Sequence, residues 1–181
     1  FSDAHETREI PIIAANLQRL ILPRQSQVWA VLRKADTAQR LAYLLAATFL
    51  GRMCLSGDLR DLRPDQWELA VSAMELYRRV YPVIRDGHSI FHGDVGESWR
   101  HPRGWQAVVR LSKDGGSALL VAHSFAKPFP AEARIPLPGA GWKLVEAWPA
   151  TSGLAAELRG GQIRLKLRGE FRALVLVSRR S

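Results

Sequence analysis

The sequence predicts an α/β region followed by an all-β region, and three observations carry that reading. Short apolar runs alternate with amphipathic helical patterns over residues 1–87, the arrangement expected of a parallel sheet. Composition changes at Gly87: residues 1–87 hold 3 of the 14 glycines and residues 88–181 hold 11. Beyond that point apolar residues recur with period two between glycine-marked turns, the pattern of an antiparallel β-sandwich.

In the first region a helix is expected from about Ile10 to Arg19, burying Ile10, Ile13, Ala14 and Leu17. A second, capped by Asp36, runs through Leu41, Leu44, Leu45 and Thr48 and stops at Gly51. The clearest begins at Pro64, a residue suited to the first helical position, with Asp65 and Glu68 at the positive end of the helix dipole. Its apolar face reads as Trp67, Ala70, Val71, Met74, Tyr77 and Tyr81, with Gln66 pointing elsewhere, and Gly87 ends it. Between the helices, Leu20–Leu22 and Met53–Leu55 read as short strands. Each is followed by a polar loop, Pro23–Gln27 and Ser56–Asp58. Two strands cannot make a sheet covered on both faces, so this half reads as the end of an α/β domain.

The second region offers strands at Trp105–Leu111, Ala118–Ala122, Arg134–Leu137, Trp142–Trp148, Gln162–Leu167 and Phe171–Val177, with a turn at Asp114-Gly115-Gly116.

Composition narrows the function. The chain has 181 residues and is 47% hydrophobic, enough to bury a core. No apolar run approaches the roughly 18 residues of a membrane span. The single cysteine, Cys54, excludes an internal disulfide and a cysteine-rich zinc site. A net charge of +9 raises a nucleic-acid reading, but the excess lies mainly in the β region, 14 Lys+Arg against 7 Asp+Glu compared with 12 against 10 before it. There Arg164, Lys166 and Arg168 share a strand face without interleaved aromatics, which reads as a solvated outer face.

Local motifs carry little chemistry. His5-Glu6 begins a zinc-protease pattern whose second histidine is replaced by Glu9, and His88 and His92 lie in an apparent loop without a third ligand. Ser124–Lys127 spells S-x-x-K beside Pro128 with no Ser-Asp-Asn following. Asp3, with His5, Glu6 and Glu9 behind it, is by local physics a helix-start acidic cluster.

Taken together, several stretches resemble the α-galactosidases of glycoside hydrolase family 36. Phe49-Leu50-Gly51-Arg52-Met53-Cys54-Leu55-Ser56-Gly57-Asp58-Leu59, continuing through Gln66-Trp67 and Tyr77 to Ile84-Arg85-Asp86-Gly87, is similar to the last barrel strand, S-G-D-L turn and final helix of those enzymes. Phe1-Ser2-Asp3 resembles the end of their sixth strand, where an aspartate serves as acid/base, and Pro23–Trp29 would occupy the loop after strand seven. The resemblance implies the last part of a (β/α)8 TIM barrel over 1–87 and a C-terminal antiparallel β-sandwich over 88–181. It implies Asp3 as acid/base and Arg24, Gln25, Ser26, Trp29, Ser56, Gly57 and Asp58 as substrate-binding residues on one face. It also implies an α-galactoside as partner and neither cofactor nor metal. From charge placement and run length no nucleic acid or membrane partner is expected, the location stays unknown with the cytoplasm favoured, and a homo-oligomer is left open.

The sequence departs from the family where Ala4-His5-Glu6 replaces the usual N-T-D after the acid/base. Lys34-Ala35-Asp36 lacks the asparagine of the nucleophile motif K-x-D-x-N and precedes a helix, so the nucleophile is expected outside this chain and the chain alone is expected to be inactive. The start at Phe1 rather than Met agrees with a piece of a longer protein. Two other readings remain at this point: a carbohydrate-binding or accessory sandwich module without catalysis, and a basic nucleic-acid-binding protein.

Overall fold

A computed structural model of the chain describes residues 7–95, 100–150 and 152–181. Asp3, with Phe1-Ser2 and Ala4-His5-Glu6, lies outside the described residues.

The chain enters helix α1 (Ile10–Leu17), with Pro11 in its first turn. Ile12 and Ala15 are buried beside Ile10 and Ala14, whereas Ile13 and Leu17 are only half-buried. The helix has turned from its expected face because it packs on the β region, where Gln106 Nε2 donates to the Pro11 carbonyl at 2.9 Å. Leu20–Leu22 is not a strand. It is a turn, with Leu20 84% and Leu22 48% exposed, followed by a 3-10 turn at Pro23–Gln25. The strand comes next, β1 (Gln27–Leu32), where Val28, Ala30 and Leu32 are buried and the alternate residues are not. It pairs in parallel with β2 (Arg52–Gly57), Gln27 opposite Arg52 through Leu32 opposite Gly57.

Helix α2 (Ala38–Thr48) is capped by Thr37, not Asp36: Thr37 Oγ1 accepts from Arg40 N at 3.2 Å. Helix α3 (Pro64–Asp86) starts at Pro64 as expected, with Gly87 as its C-cap. Its buried face is Gln66, Ala70, Ala73, Leu76, Val80 and Ile84, while Trp67 is exposed. Small alanines let α3 approach its neighbours closely. Tyr77 stays half-buried, its hydroxyl donating to the Gly51 carbonyl (2.9 Å) and accepting from Met53 N (3.1 Å).

The β region holds β3 (His88–Val95), β4 (Gly104–Leu111), β5 (Ser117–Ser124), β6 (Glu132–Pro136), β7 (Trp142–Trp148), β8 (Ala155–Arg159), β9 (Gln162–Lys166) and β10 (Ala173–Arg180). They form two antiparallel sheets, β3-β4-β5-β10-β7 and β6-β9-β8. The His88–Val95 segment is thus an edge strand rather than a loop. Gly93 (φ +120) lets it pass Trp105, whose carbonyl oxygen would lie 2.3 Å from any Cβ at that position.

The larger sheet is covered on both faces, which is why every residue from Gln106 to Leu111 is buried. Ala107, Val109 and Leu111 face the small sheet, in a core with Ile135, Ile163, Leu165 and Leu176. Val108, Leu119, Val121 and Val175 face the helices, in a core shared with Leu41, Leu44, Phe49 and Leu76. Three layers result: helices α1–α3, the five-stranded sheet, and the three-stranded sheet. No closed barrel is present among the described residues, since the parallel sheet has two strands. This corrects the expected fold: the described residues form a small, mostly β structure with three α-helices.

Buried polar contacts join the layers. Arg110, 2% exposed, donates from Nη1 to the Ile84 carbonyl at the end of α3 (2.6 Å) and from Nη2 to Gln18 Oε1. Burial without a carboxylate lowers its pKa to about 10. His123, fully buried, donates from Nε2 to the Tyr43 carbonyl (3.2 Å) and meets the Tyr43 ring edge-on. Burial lowers its pKa to about 3.

Candidate functional site

The carboxyl ends of β1 and β2 make one lip of the molecule. Gly57 closes β2 with φ +97, and a Cβ there would stand 2.2 Å from the Leu32 carbonyl oxygen, so only glycine lets the two strand ends come this close. Asp58 N donates to that same carbonyl at 2.8 Å, and Asp58 Oδ2 accepts from Lys34 N at 3.2 Å. Residues 33–36 are held from the other side by the start of α3. Fully buried Gln66 donates its amide to the carbonyls of Asp36 (2.8 Å) and Lys34 (3.1 Å) and accepts from Arg63 N (3.0 Å), and Arg63 Nη1 donates to Lys34 O (2.6 Å). Asp36 is buried, accepting from Arg33 N (3.0 Å) and pairing with Arg40 (2.8 Å). The side chains of Arg33, Lys34 and Asp58 remain exposed on this pinned lip.

Of the residues expected to bind substrate, Gly57 and Asp58 sit on the lip. Ser56 is half-buried in β2 opposite Val31, and Trp29 is half-buried in mid-β1 opposite Cys54. Arg24, Gln25 and Ser26 do not join them. They precede β1 instead of following a strand, which puts them at the amino end of the pair, about 17 Å from the lip along five strand steps. There Ser26 is buried and its carbonyl accepts from Arg52 N (2.7 Å), while Arg24 lies 3.7 Å from Asp86. The Asp86 carboxyl is held below its usual range by hydrogen bonding to Arg85, with Arg24 a smaller influence.

In α2, Tyr43 donates its hydroxyl to the Arg8 carbonyl at 2.9 Å, and burial raises its pKa well above the ordinary tyrosine value. Arg63 and Gln66 escaped the sequence reading as organisers of this end. The signal was present: Arg63-Pro64-Asp65-Gln66 is a capping box with Gln at the third helical position, and the reciprocal Arg63–Gln66 contacts form. Ser124 of the S-x-x-K spelling is structural, its hydroxyl donating to Gly169 O (2.9 Å). Among the described residues no three His, Cys, Asp or Glu side chains cluster as metal ligands, and no helix is long and apolar enough to cross a membrane.

A pair of parallel strands backed by α2 and α3 is packed on an antiparallel two-sheet β region. Among solved structures this arrangement recurs in family 36 α-galactosidases, and the chain matches their C-terminal part. The galactosidase domain of an α-galactosidase–sucrose kinase superposes with TM-score 0.67 at 14% identity, over 99% of this chain and 25% of that one. The α-galactosidase from Lactobacillus brevis gives 0.67 at 13% over 99% and 26%. The family 36 enzyme AgaA from Geobacillus stearothermophilus gives 0.61 at 13% over 99% and 25%. At these identities the likeness is one of fold, and the chain spans about a quarter of the length of each protein. No family model matches the chain, and no curated protein matches it in sequence.

Proposed function

We propose that the chain is the C-terminal portion of a retaining α-galactosidase-like glycoside hydrolase, with β1 and β2 as the last two strands of its (β/α)8 barrel. The observation that supports this best is the match over 99% of the chain to the C-terminal quarter of such enzymes. In barrel enzymes the active site stands at the carboxyl ends of the strands, and here that end is the lip carrying Lys34, Gly57 and Asp58. Retaining hydrolysis uses two carboxyl groups about 5–5.5 Å apart. Asp3 takes the acid/base role: its carboxylic acid protonates the leaving glycosidic oxygen, and the resulting carboxylate then deprotonates the water that releases galactose. The nucleophile lies on a barrel strand outside this chain.

Gly57 and Asp58 shape the wall of the sugar site, with Asp58 holding the Lys34 backbone in place. Arg24, Gln25 and Ser26 have no part in it, because they stand at the opposite end of the strands. The test is to assay the 181-residue chain and the longer protein that carries it on an aryl α-galactoside. Turnover by the longer protein and none by the chain supports the proposal. Sugar binding without turnover by the longer protein would favour an accessory module instead.

A further inference from the structure

A cavity of about 400 Å³ opens between the starts of α2 and α3 and the turn at Pro149, beside the β1–α2 connection that carries Lys34. Its lining includes Gln39, Asp65, Leu69, Pro149, Ser152 and Arg172. Arg172 is the unusual member. Its side chain passes through a slot between two glycines, where a Cβ on Gly153 or Gly169 would stand 3.3 or 3.2 Å from Arg172 Nε. That Nε–H is buried without an acceptor, and among the described residues the guanidinium forms no ion pair.

The backbone carrying Arg172 is fixed on both sides. Ser124 Oγ accepts from Arg172 N (3.2 Å) and donates to Gly169 O, while Gln39 Nε2 donates to Glu170 O (3.2 Å) and Phe171 O (3.3 Å). Between these ties Phe171 is held at φ +52, a strained conformation for a side chain of this size.

A preorganised guanidinium without a carboxylate, facing a cavity of ligand size, is a receptor for a planar anion. The rest of the lining narrows the choice. Asp65, already paired with Arg63 at 3.2 Å, adds negative charge that disfavours a dianion but accepts hydroxyl hydrogens. Leu69 and Pro149 offer apolar surface to a sugar ring. Ser152 contributes no free hydroxyl, since its Oγ donates to Leu154 O (2.5 Å) and accepts from Leu154 N (3.0 Å).

We propose that this cavity, beside the lip, is a further carbohydrate site that takes a sugar residue bearing a carboxylate, such as a hexuronic acid. The carboxylate pairs with Arg172 and the ring hydroxyls with Asp65. The sugar half of this assignment rests on the glycoside hydrolase reading above; the anion half does not.

The test uses the 181-residue chain and four probes: methyl α-galacturonide, methyl α-galactoside, acetate and inorganic sulfate. Binding is followed by calorimetry and by the arginine Nε–H resonances. The galacturonide should bind at least tenfold more tightly than the galactoside or sulfate and shift the Arg172 Nε–H signal. Arg172→Lys should remove that preference, and Asp65→Asn at the exposed rim should weaken the galacturonide without affecting acetate. Equal affinity for the neutral galactoside, tighter binding of sulfate, or no binding of the galacturonide would each overturn the proposal. Galacturonide binding by the chain, with no hydrolase activity in the longer protein, would sink the glycosidase reading and leave the anion half of this site standing. Hydrolysis without galacturonide binding would do the reverse.

Discussion

Gln66 Nε2 lies 2.8 Å from the carbonyl oxygen of Asp36, tying the first turn of α3 to the residue that precedes the α2 cap. The same side chain serves Lys34 O and Arg63 N, so one buried amide ties the β1–α2 connection to the start of α3. Gln66→Leu keeps the volume but removes the buried donor to Asp36 O and the acceptor of Arg63 N. The expected loss is about 2–4 kcal/mol, read by urea unfolding, with faster hydrogen exchange at the Arg63 amide. A variant as stable as the parent would contradict the clamp.

Gly57 and Gly160 both have positive φ, but only Gly57 has a neighbouring backbone in the way. Nothing lies within 4 Å of a Cβ at Gly160. Gly57→Ala should cost about 2–4 kcal/mol through the clash with Leu32 O, against about 1 for Gly160→Ala, which bears only the left-handed strain. Equal losses in thermal unfolding would show that the strand ends are farther apart.

Burial along α3 separates Leu76, 1% exposed, from Trp67, 44% exposed. Leu76→Ala should destabilise by about 2–5 kcal/mol, and Trp67→Ala by under about 1, measured by chemical denaturation. The reverse order would restore the face centred on Trp67.

His123 makes stability depend on pH. Its folded pKa, about 3, lies below the free value of 6.5 because burial disfavours the charged ring. Between these values the unfolded chain binds the extra proton, so the contribution is fully present above about pH 6.5 and declines as pH falls toward 3. The loss across that window is on the order of a few kcal/mol. His123→Gln should flatten the pH dependence of the melting temperature there. An unchanged slope would mean that another group titrates.

These residues also show what the sequence could disclose. Pro64 at the start of α3, the 114–116 turn and the bounds of β7 were legible because each rests on local chemistry: a fixed proline φ, a glycine turn, an alternating run. The buried face of α3 was not, because Gln66 is buried by carbonyls about 30 residues away and no local pattern encodes them. Strand β1 was displaced by the apolar run Leu20–Leu22, which only continues the turn after α1. That misplacement carried Arg24, Gln25 and Ser26 to the wrong end of the strands. Strands β3 and β8 were hidden, β3 by its glycine and histidines and β8 by its weak alternation. The Ser56-Gly57-Asp58 spelling marks the turn that ends β2, whereas the contact of Asp58 with Lys34 N follows only from the pairing of β1 with β2.

The central claim is tested most directly by steady-state hydrolysis of an aryl α-galactoside by the longer protein proposed to carry this chain, as wild type and as Asp3→Ala, with and without azide. With Asp3 as acid/base, kcat should fall by about 10²–10⁴ and be partly regained in azide, with a galactosyl azide as product. Full activity in Asp3→Ala, or a loss that azide leaves untouched, would contradict the assignment.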